Sequence, residues 1–330
     1  MKKIAIWSVV AVSVVVLLAS NLIFFGCKPA EEAFPAQDIH FIVATKAGGG
    51  YDSYARALAP VMKKYLPGDV NIIVENKAGG GGRVGYTYTY KSEPDGYTFG
   101  FCSIPGAIVT SLVKDVPYDL SKVEWLGTLV TEGLTVFVKG DSQINSFNDL
   151  KAKGERGELK CCETRIGDTS WLTLFILQRQ AGLKYKGIGG YESSKGAMVG
   201  MMRGDGDFVL IPAAGYAEDY VKNGDIKPIF AATAKPEPVY PNAEYAGKLG
   251  YSLPVWSRAF FVPPGTPQSR VDILENAMDK ACHDEEFLSW AKEAGRPVGW
   301  IGAAETAKQI NEAFTSFSEY EDMLREALAD

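Results

Sequence analysis

The stretch Ile39-His-Phe-Ile-Val-Ala-Thr-Lys-Ala-Gly-Gly-Gly-Tyr-Asp, residues 39–52, decides the fold class. From Ile39 to Ala44 the run is short and mostly apolar, which predicts a buried strand, and the glycines after it predict a tight turn. Ala55, Leu58, Ala59, Met62 and Leu66 then recur at helical spacing. The same order of strand, small-residue turn and helix returns at Val70-Asn-Ile-Ile-Val, which runs into Glu75-Asn-Lys-Ala-Gly-Gly-Gly-Gly. It returns again at Tyr97-Thr-Phe-Gly-Phe, which leads through Ser103-Ile-Pro-Gly into Ala107 to Val113. Strands alternating with helices are the pattern of an α/β sheet.

A second block with the same architecture begins near Leu134-Thr-Val-Phe-Val. Ser146-Phe-Asn-Asp predicts a capped helix start. Leu159 to Glu163 reads as a strand feeding Gly167-Asp-Thr-Ser and an apolar helix from Trp171, and Gly189-Gly-Tyr-Glu-Ser-Ser-Lys-Gly opens another helix. Asp207-Phe-Val-Leu-Ile and Ile229-Phe-Ala-Ala are further strands. From Ser269 onward the pattern is helical alone, so this tail is expected to pack back on the first block. The expected fold class is α/β with two lobes joined by two crossovers, near residues 130–136 and 253–260. Lobe 1 takes 34–131 and 254–330, lobe 2 takes 132–253, and a leader with its tether fills 1–33. In open α/β sheets ligands sit outside the strand C-termini, which places the expected site in a cleft between the lobes.

Met1-Lys2-Lys3 precedes an uncharged run from Ile4 to Gly26, long enough at ~1.5 Å per residue for a bilayer core of ~30 Å. The run ends at Phe24-Phe25-Gly26-Cys27, and a small residue before a lone Cys resembles a bacterial lipoprotein processing site, with lipid attached at Cys27. An uncleaved membrane helix and a simple cleaved signal are the alternatives. All three put the folded body outside the cytoplasm, because the two lysines hold the N-terminus in. The remaining cysteines, Cys102, Cys161, Cys162 and Cys282, show neither C-x-x-C spacing nor a nearby His and read as buried thiols or one disulfide. Neighbours Cys161 and Cys162 lie in a strand and point to opposite faces, which argues against a shared metal site.

With 330 residues, 46% hydrophobic and 22% charged, the chain is neither disordered, collagenous nor a disulfide framework. Its 34 basic and 40 acidic residues give a charge of −6, which excludes a general nucleic-acid surface. The balance would also argue against an anionic ligand, were it not for the loops. A Gly-rich turn entering a helix leaves N–H groups at the positive end of the helix dipole, where phosphate or carboxylate is favoured. Gly48, Gly49 and Gly50 let a ligand approach such a turn, and plain tight-turn glycines are the alternative. Asp52 either caps the helix or accepts a hydrogen bond from a ligand or water. In the second block Thr169, Ser170, Ser193 and Ser194 stand at helix starts. Each alone reads as an N-cap, and together they would form a neutral donor cage. Tyr51 and Tyr191 are candidate cleft walls or packing aromatics, whereas Met198, Met201 and Met202 read as core.

Catalytic equipment is thin. Gly80, Gly82 and Gly85 formally satisfy G-x-G-x-x-G, yet the acidic residue expected after the next strand is missing, and no P-loop occurs. The two histidines, His40 and His283, accompany no nucleophile motif. Neither an enzyme, a cofactor nor a metal is expected.

Seven ordered pieces carry a family resemblance: Ile42-Val-Ala-Thr-Lys-Ala-Gly-Gly-Gly-Tyr-Asp, Val74-Glu-Asn-Lys-Ala-Gly-Gly-Gly, Pro94-Asp-Gly-Tyr-Thr, Val116-Pro-Tyr-Asp, Tyr191 with Ser194, Gly204-Asp-Gly-Asp, and Pro263-Pro-Gly-Thr-Pro. Together they resemble the extracytoplasmic solute receptors of tripartite tricarboxylate transporters, the Bug or TctC-like family. The resemblance implies a two-lobed periplasmic-binding-protein fold of the type II, Venus-flytrap kind, closing on a small organic carboxylate. That ligand could be a di- or tricarboxylate, an aromatic acid or an amino acid, for delivery to the membrane subunits of a transporter. It implies ligand contacts from Ala47, Gly48, Gly49, Gly50, Tyr51 and Asp52, from Gly80 and Gly81, and from Ser103 in the first lobe. In the second lobe it implies contacts from Thr169, Ser170, Tyr191, Ser193 and Ser194. Tyr51 stands where relatives often have a small polar residue and Ile211 where an Asp is common, so the first narrows the pocket or stacks on a ring and the second removes a polar contact. A monomer tethered to the membrane by an N-terminal lipid or helix is expected. An exported enzyme acting on a small carboxylic acid and an orphan sensor signalling through a membrane partner are the alternatives.

Overall fold

The computed structural model describes residues 33–164, 167–213, 215, 217–254 and 256–328. The expected leader and the candidate lipidation residue Cys27 lie outside them. The folded body, Gln37–Asp330, is built on two six-stranded sheets.

The first sheet contains β1 (Ile39–Val43), β2 (Ile72–Asn76), β3 (Thr98–Ile104), β4 (Glu124–Glu132), β11 (Trp256–Val262) and β12 (Ile301–Gly302), in the order β12-β4-β11-β3-β1-β2. The second contains β5 (Leu134–Lys139), β6 (Lys160–Cys162), β7 (Lys186–Ile188), β8 (Phe208–Pro212), β9 (Ile226–Ala231) and β10 (Glu244–Tyr245), in the order β10-β9-β5-β8-β6-β7. The sheets share a plan. β1 pairs in parallel with β2 and β3, as β6 does with β7 and β8. In each sheet the strand by which the chain arrives from the other, β5 or β11, runs antiparallel to both neighbours.

The strand-to-helix turns fall where the sequence puts them. β1 leads to α1 (Gly50–Lys63), β2 to α2 (Arg83–Lys91) and β3 to α3 (Gly106–Val113). The second sheet carries α4 (Phe147–Glu155), α5 (Thr169–Ala181), α6 (Ser194–Arg203) and α7 (Ala217–Lys222). Under α1 the rings of Phe41 and Phe99 stack with centroids 4.4 Å apart, as do those of Phe101 and Phe260. All four are fully buried, each stabilising the fold by roughly 1.5–3 kcal/mol before entropy is counted. This packing makes the C-terminal edge of β1 a rigid platform for the loop that follows it.

Helix α5 has two apolar faces. Leu174, Leu177 and Ala181 pack into the core of the second sheet with Val136, Phe208 and Leu210. Leu172, Phe175 and Ile176 pack instead with Ala107, Ile108 and Val109 of α3 and with Phe261 of the first sheet.

Two sequence expectations need correction, and one strand has no counterpart in the sequence reading. The C-terminal segment is not helical alone: between α8 (Gln268–His283), α9 (Glu285–Glu293), α10 (Ala303–Ser318) and α11 (Glu321–Ala327) it contributes β12, whose Ile301 and Gly302 pair with Thr128 and Gly127. Two residues are too few for a hydrophobic period to show. β3 continues past Phe101 to Ile104, so Ser103 sits on a strand and not in the turn. β4, nine residues long, is not singled out by the sequence reading; Trp125 to Val130 is buried throughout and lacks alternation. Cys102, Cys161, Cys162 and Cys282 are free and buried. Cys161 and Cys162 do separate, into the core clusters on opposite sides of the second sheet.

Candidate functional site

The start of α3, at the end of β3, lies against the turn that opens α5 after β6. A Cβ placed on Gly106 would lie 3.6 Å from the Gly167 carbonyl, and one on Gly215 would lie 3.2 Å from the Gly295 carbonyl, so backbone meets backbone across the cleft at two points.

On the first wall, Gly49 is the N-cap of α1 and makes no side-chain capping bond. The first amide with a helical partner is Ser53, which donates to the Gly49 carbonyl. The amides of Gly50, Tyr51 and Asp52 therefore have no partner within the helix and lie at its positive end. Gly48 holds φ +80°, a conformation that favours glycine. The neighbouring loop is more extreme: Gly79, Gly80, Gly81 and Gly82 all have positive φ, and Gly82 caps α2 without a side-chain bond. Gly85 then seats α2 against β1, because a Cβ there would come within 2.6 Å of the Ala44 Cβ.

Asp52 lies behind this wall. Its carboxylate accepts from the Gly48 amide (2.8 Å), Arg56 Nε (3.0 Å) and Asn76 Nδ2 (2.9 Å), and the residue is buried. Burial alone would raise its pKa, but the bonds from Arg56, Gly48 and Asn76 outweigh that and hold it below the ordinary range. Asp52 thus tethers the turn to β2. Ala47, Gly48, Gly49, Gly50 and Tyr51 share one loop, with Gly80 and Gly81 exposed on the next.

Tyr51 and Ser103 are joined by a residue the sequence reading passed over. Trp256 Nε1 donates to Ser103 Oγ at 3.0 Å and to Tyr51 Oη at 3.2 Å. Beneath them Arg258 is 5% exposed, with its guanidinium 4.0 Å from the Trp256 ring and 5.2 Å from those of Tyr51 and Tyr54, and it forms an ion pair with buried Glu132. Burial lowers the Arg258 pKa, yet a guanidinium keeps its charge in a protein. Arg296 Nη1 lies 3.4 Å from where a Cβ on Gly50 would be. Arg296 thus stands beside the uncapped start of α1, while the Arg258 charge beneath Tyr51 is balanced by Glu132.

The second wall has its helix starts filled by its own side chains. Asp168 is the N-cap of α5: its Oδ1 accepts from the Trp171 amide at 2.9 Å and its Oδ2 from the Thr164 hydroxyl. Ser193 caps α6, its Oγ accepting from the Gly196 amide at 3.1 Å. Thr169 is buried, while Ser170 and Ser194 line a small cavity with Glu163 and Thr164. Tyr191 is committed to its own lobe, its ring against Gly200 and its hydroxyl donating to Asp205 Oδ2 at 2.7 Å. Ile211 is buried in the core of this lobe with Met198 and Met201.

Glu132, Glu163, Asp168, Trp256 and Arg258 escaped the sequence reading. The available signal was a charge at the end of, or within, an otherwise apolar strand, as in Trp256-Ser-Arg-Ala-Phe-Phe. Among the described residues, no group of three His, Cys, Asp or Glu could hold a metal, and no helix is long and apolar enough to cross a membrane.

The family model described as the tripartite tricarboxylate transporter family receptor, TctC, matches residues 54–317. A UPF0065 protein of Bordetella bronchiseptica is 24% identical over 306 residues, 91% of this chain and 90% of that one. Among solved structures, a TctC solute-binding protein from Polaromonas superposes with a TM-score of 0.76 at 18% identity, covering 90% of this chain and 99% of that one. MatC of Rhodopseudomonas palustris with bound malate gives 0.70 at 21% identity over 88% and 100% of the two chains. An R. palustris protein with adipate gives 0.73 at 19% identity over 88% and 98%.

Proposed function

Since the chain belongs to the tripartite tricarboxylate transporter receptor family, we propose that it is an extracytoplasmic receptor capturing a small organic carboxylate in the cleft and delivering it to the membrane subunits of such a transporter. The observation that carries the reading is the uncapped start of α1, where three amides lie at the positive end of one helix dipole with Arg296 beside Gly50. Amides at hydrogen-bonding range hold an anion whatever the net charge of the chain. Malate and adipate in the two R. palustris structures support a carboxylate ligand for this fold.

In this reading the carboxylate sits against Gly48, Gly49, Gly50 and Tyr51, with Gly80, Gly81 and Ser103 on its flank. Asp52 preforms the loop and touches no ligand. Thr169, Ser170, Ser193 and Ser194 face the rest of the molecule from the second wall, and Tyr191 braces that wall. A tether at the N-terminus, through lipid on Cys27 or a retained helix, would keep the receptor beside its permease.

Calorimetry of the purified protein against di- and tricarboxylates, aromatic acids and amino acids tests the reading. Stoichiometric binding of a carboxylate without turnover is expected, and no binding by any of them overturns it.

A further inference from the structure

We propose that the β2 edge of the first sheet is a self-association site, at which two copies of this chain pair β2 with β2 in antiparallel and join their first sheets into one. The inference goes beyond the receptor reading and is independent of it. It puts a dimer in place of the monomer expected from the sequence.

β2 ends the order β12-β4-β11-β3-β1-β2. Among the described residues the other three sheet edges are short, β7 with three residues and β10 and β12 with two each, whereas β2 has five. Short edge strands are an ordinary protection against pairing with another chain, and β2 lacks it. The Ile39 amide donates to the Asn71 carbonyl at 2.8 Å and the Lys77 amide to the Val43 carbonyl at 2.9 Å. In this parallel ladder Asn71, Ile73, Glu75 and Lys77 therefore turn their backbone groups toward β1. Those of Ile72, Val74 and Asn76 point off the sheet, where no described strand meets them. The side chains of Ile72 and Val74 line a groove of about 360 Å³ with Ala59 and Pro60 of α1. On the opposite face stand Ile73, Glu75 and Lys77, with the Lys77 ammonium 4.6 Å from the Tyr88 ring centre. Ile73 is 40% exposed, and with Val84 and Tyr88 of α2 it accounts for three of the five exposed large hydrophobic side chains among the described residues. Apolar surface thus gathers at this edge.

The edge is complementary to its own reverse, which selects a second copy as the occupant. With Ile73 set opposite the partner's Ile73, Ile72 and Val74 exchange backbone bonds with the partner's Val74 and the partner's Ile72, adding about four hydrogen bonds. On the outer face this register sets Ile73 against its own twin and Asn71 against the partner's Glu75. It also brings Asp69, whose side chain is almost fully exposed, toward the partner's Lys77. Apolar thus meets apolar and acid meets base, the cross-strand pairs that stabilise a sheet. Sliding by two residues in one direction sets Asp69 against the partner's Glu75, and sliding in the other sets Ile73 against it. A slide of one residue would oppose outward backbone groups to inward ones. On the groove side Arg56 and Lys63 bring no unpaired charge to the seam, being held by Asp52 and Asp69 in the same chain. None of these edge residues is a proposed ligand contact, so carboxylate binding and pairing stand or fall separately.

Sedimentation velocity of the full chain from about 1 to about 100 μM tests the proposal. A monomer–dimer equilibrium is expected, with at least about half of the chains paired at the upper concentration. Ile73→Lys sets two like charges face to face and should weaken pairing by about tenfold or more. Val74→Pro removes an outward amide while sparing the ladder to β1, and should do the same. Asp69→Lys and Lys77→Asp should each weaken pairing by about threefold, and the variant carrying both should recover it. Thermal melting of each variant checks that it is folded. A chain that stays monomeric at about 100 μM overturns the proposal, the result expected if the edge is left to solvent or to a segment of another protein. Pairing that survives both Ile73→Lys and Val74→Pro also overturns it, as association through the leader would produce. A double charge exchange no better than either single one overturns it too.

Discussion

The three helices that follow β1, β2 and β3 have no side-chain cap: Gly49, Gly82 and Pro105 occupy the capping positions of α1, α2 and α3. On the second lobe α5 and α6, which follow β6 and β7, are both capped from within, by Asp168 and Ser193. The two walls have the same order of strand, turn and helix, yet one leaves its amides open and the other closes them. A helix start is an anion site only while its own sequence declines to fill it. The glycines of the first wall therefore matter for the side chains they lack. The serines of the second wall matter first as structure.

The largest expected effect comes from disturbing the first wall through its backbone. Gly85→Val should force α2 away from Ala44, lowering stability by about 1–3 kcal/mol or more and removing carboxylate binding. Urea unfolding with calorimetry reads both; a stable variant with full affinity would show that the open wall does not depend on close seating.

Next is the tether behind that wall. Asp52→Asn should cost about 1–3 kcal/mol at neutral pH and weaken carboxylate binding by loosening the Gly48 turn. The folded-state pKa of Asp52 lies below its unfolded value, so its carboxylate stabilises the fold above the ordinary Asp pKa of 3.8. That contribution disappears as pH falls through the folded pKa. The melting temperatures of wild type and Asp52→Asn should therefore differ at pH 7 and converge at acid pH; a constant gap would show that the carboxylate charge is not what holds the loop.

A change to the second wall should be smaller and act in two directions. Asp168→Ala removes the α5 cap, at a cost of about 1 kcal/mol, while freeing amides and deleting a negative charge. Stability should drop slightly and affinity for dicarboxylates should rise. Unchanged dicarboxylate affinity would mean that the contrast between the walls does not reach the ligand.

The smallest effect concerns long range. The net charge of −6 opposes steering of an anion, so raising salt from low to physiological ionic strength should change the association rate by no more than about twofold. A steep fall in stopped-flow rates with salt would assign more of the capture to Arg258 and Arg296 than to the amides.

How far these features could be read in advance follows their reach along the chain. The cap at Ser146 was legible because its partner, Asp149, is three residues away. The Gly48 and Gly79 turns were legible because glycine runs at strand ends have few other uses. Asp168 was hidden by its neighbours: Thr169 and Ser170 offered equally good capping chemistry, and only backbone geometry chooses among the three. Arg258 could not be placed from sequence, since Glu132, Tyr51 and Ser103 reach it from strands and a helix more than a hundred residues away. Tyr191 reads as a possible wall because an aromatic after Gly-Gly suits one, but the bare surface of Gly200 and the carboxylate of Asp205 draw it onto its own lobe.

Helix α5 links the two lobes in one further respect. Leu172, Phe175 and Ile176 belong to the first lobe's core while Leu174, Leu177 and Ala181 belong to the second's, so a single helix is shared by both hydrophobic interiors. Melting either core strips α5 of half its packing, and a 13-residue helix has little stability of its own. The lobes are therefore thermodynamically coupled, and a calorimeter should record one cooperative heat-absorption peak for the pair where two independent domains would give two.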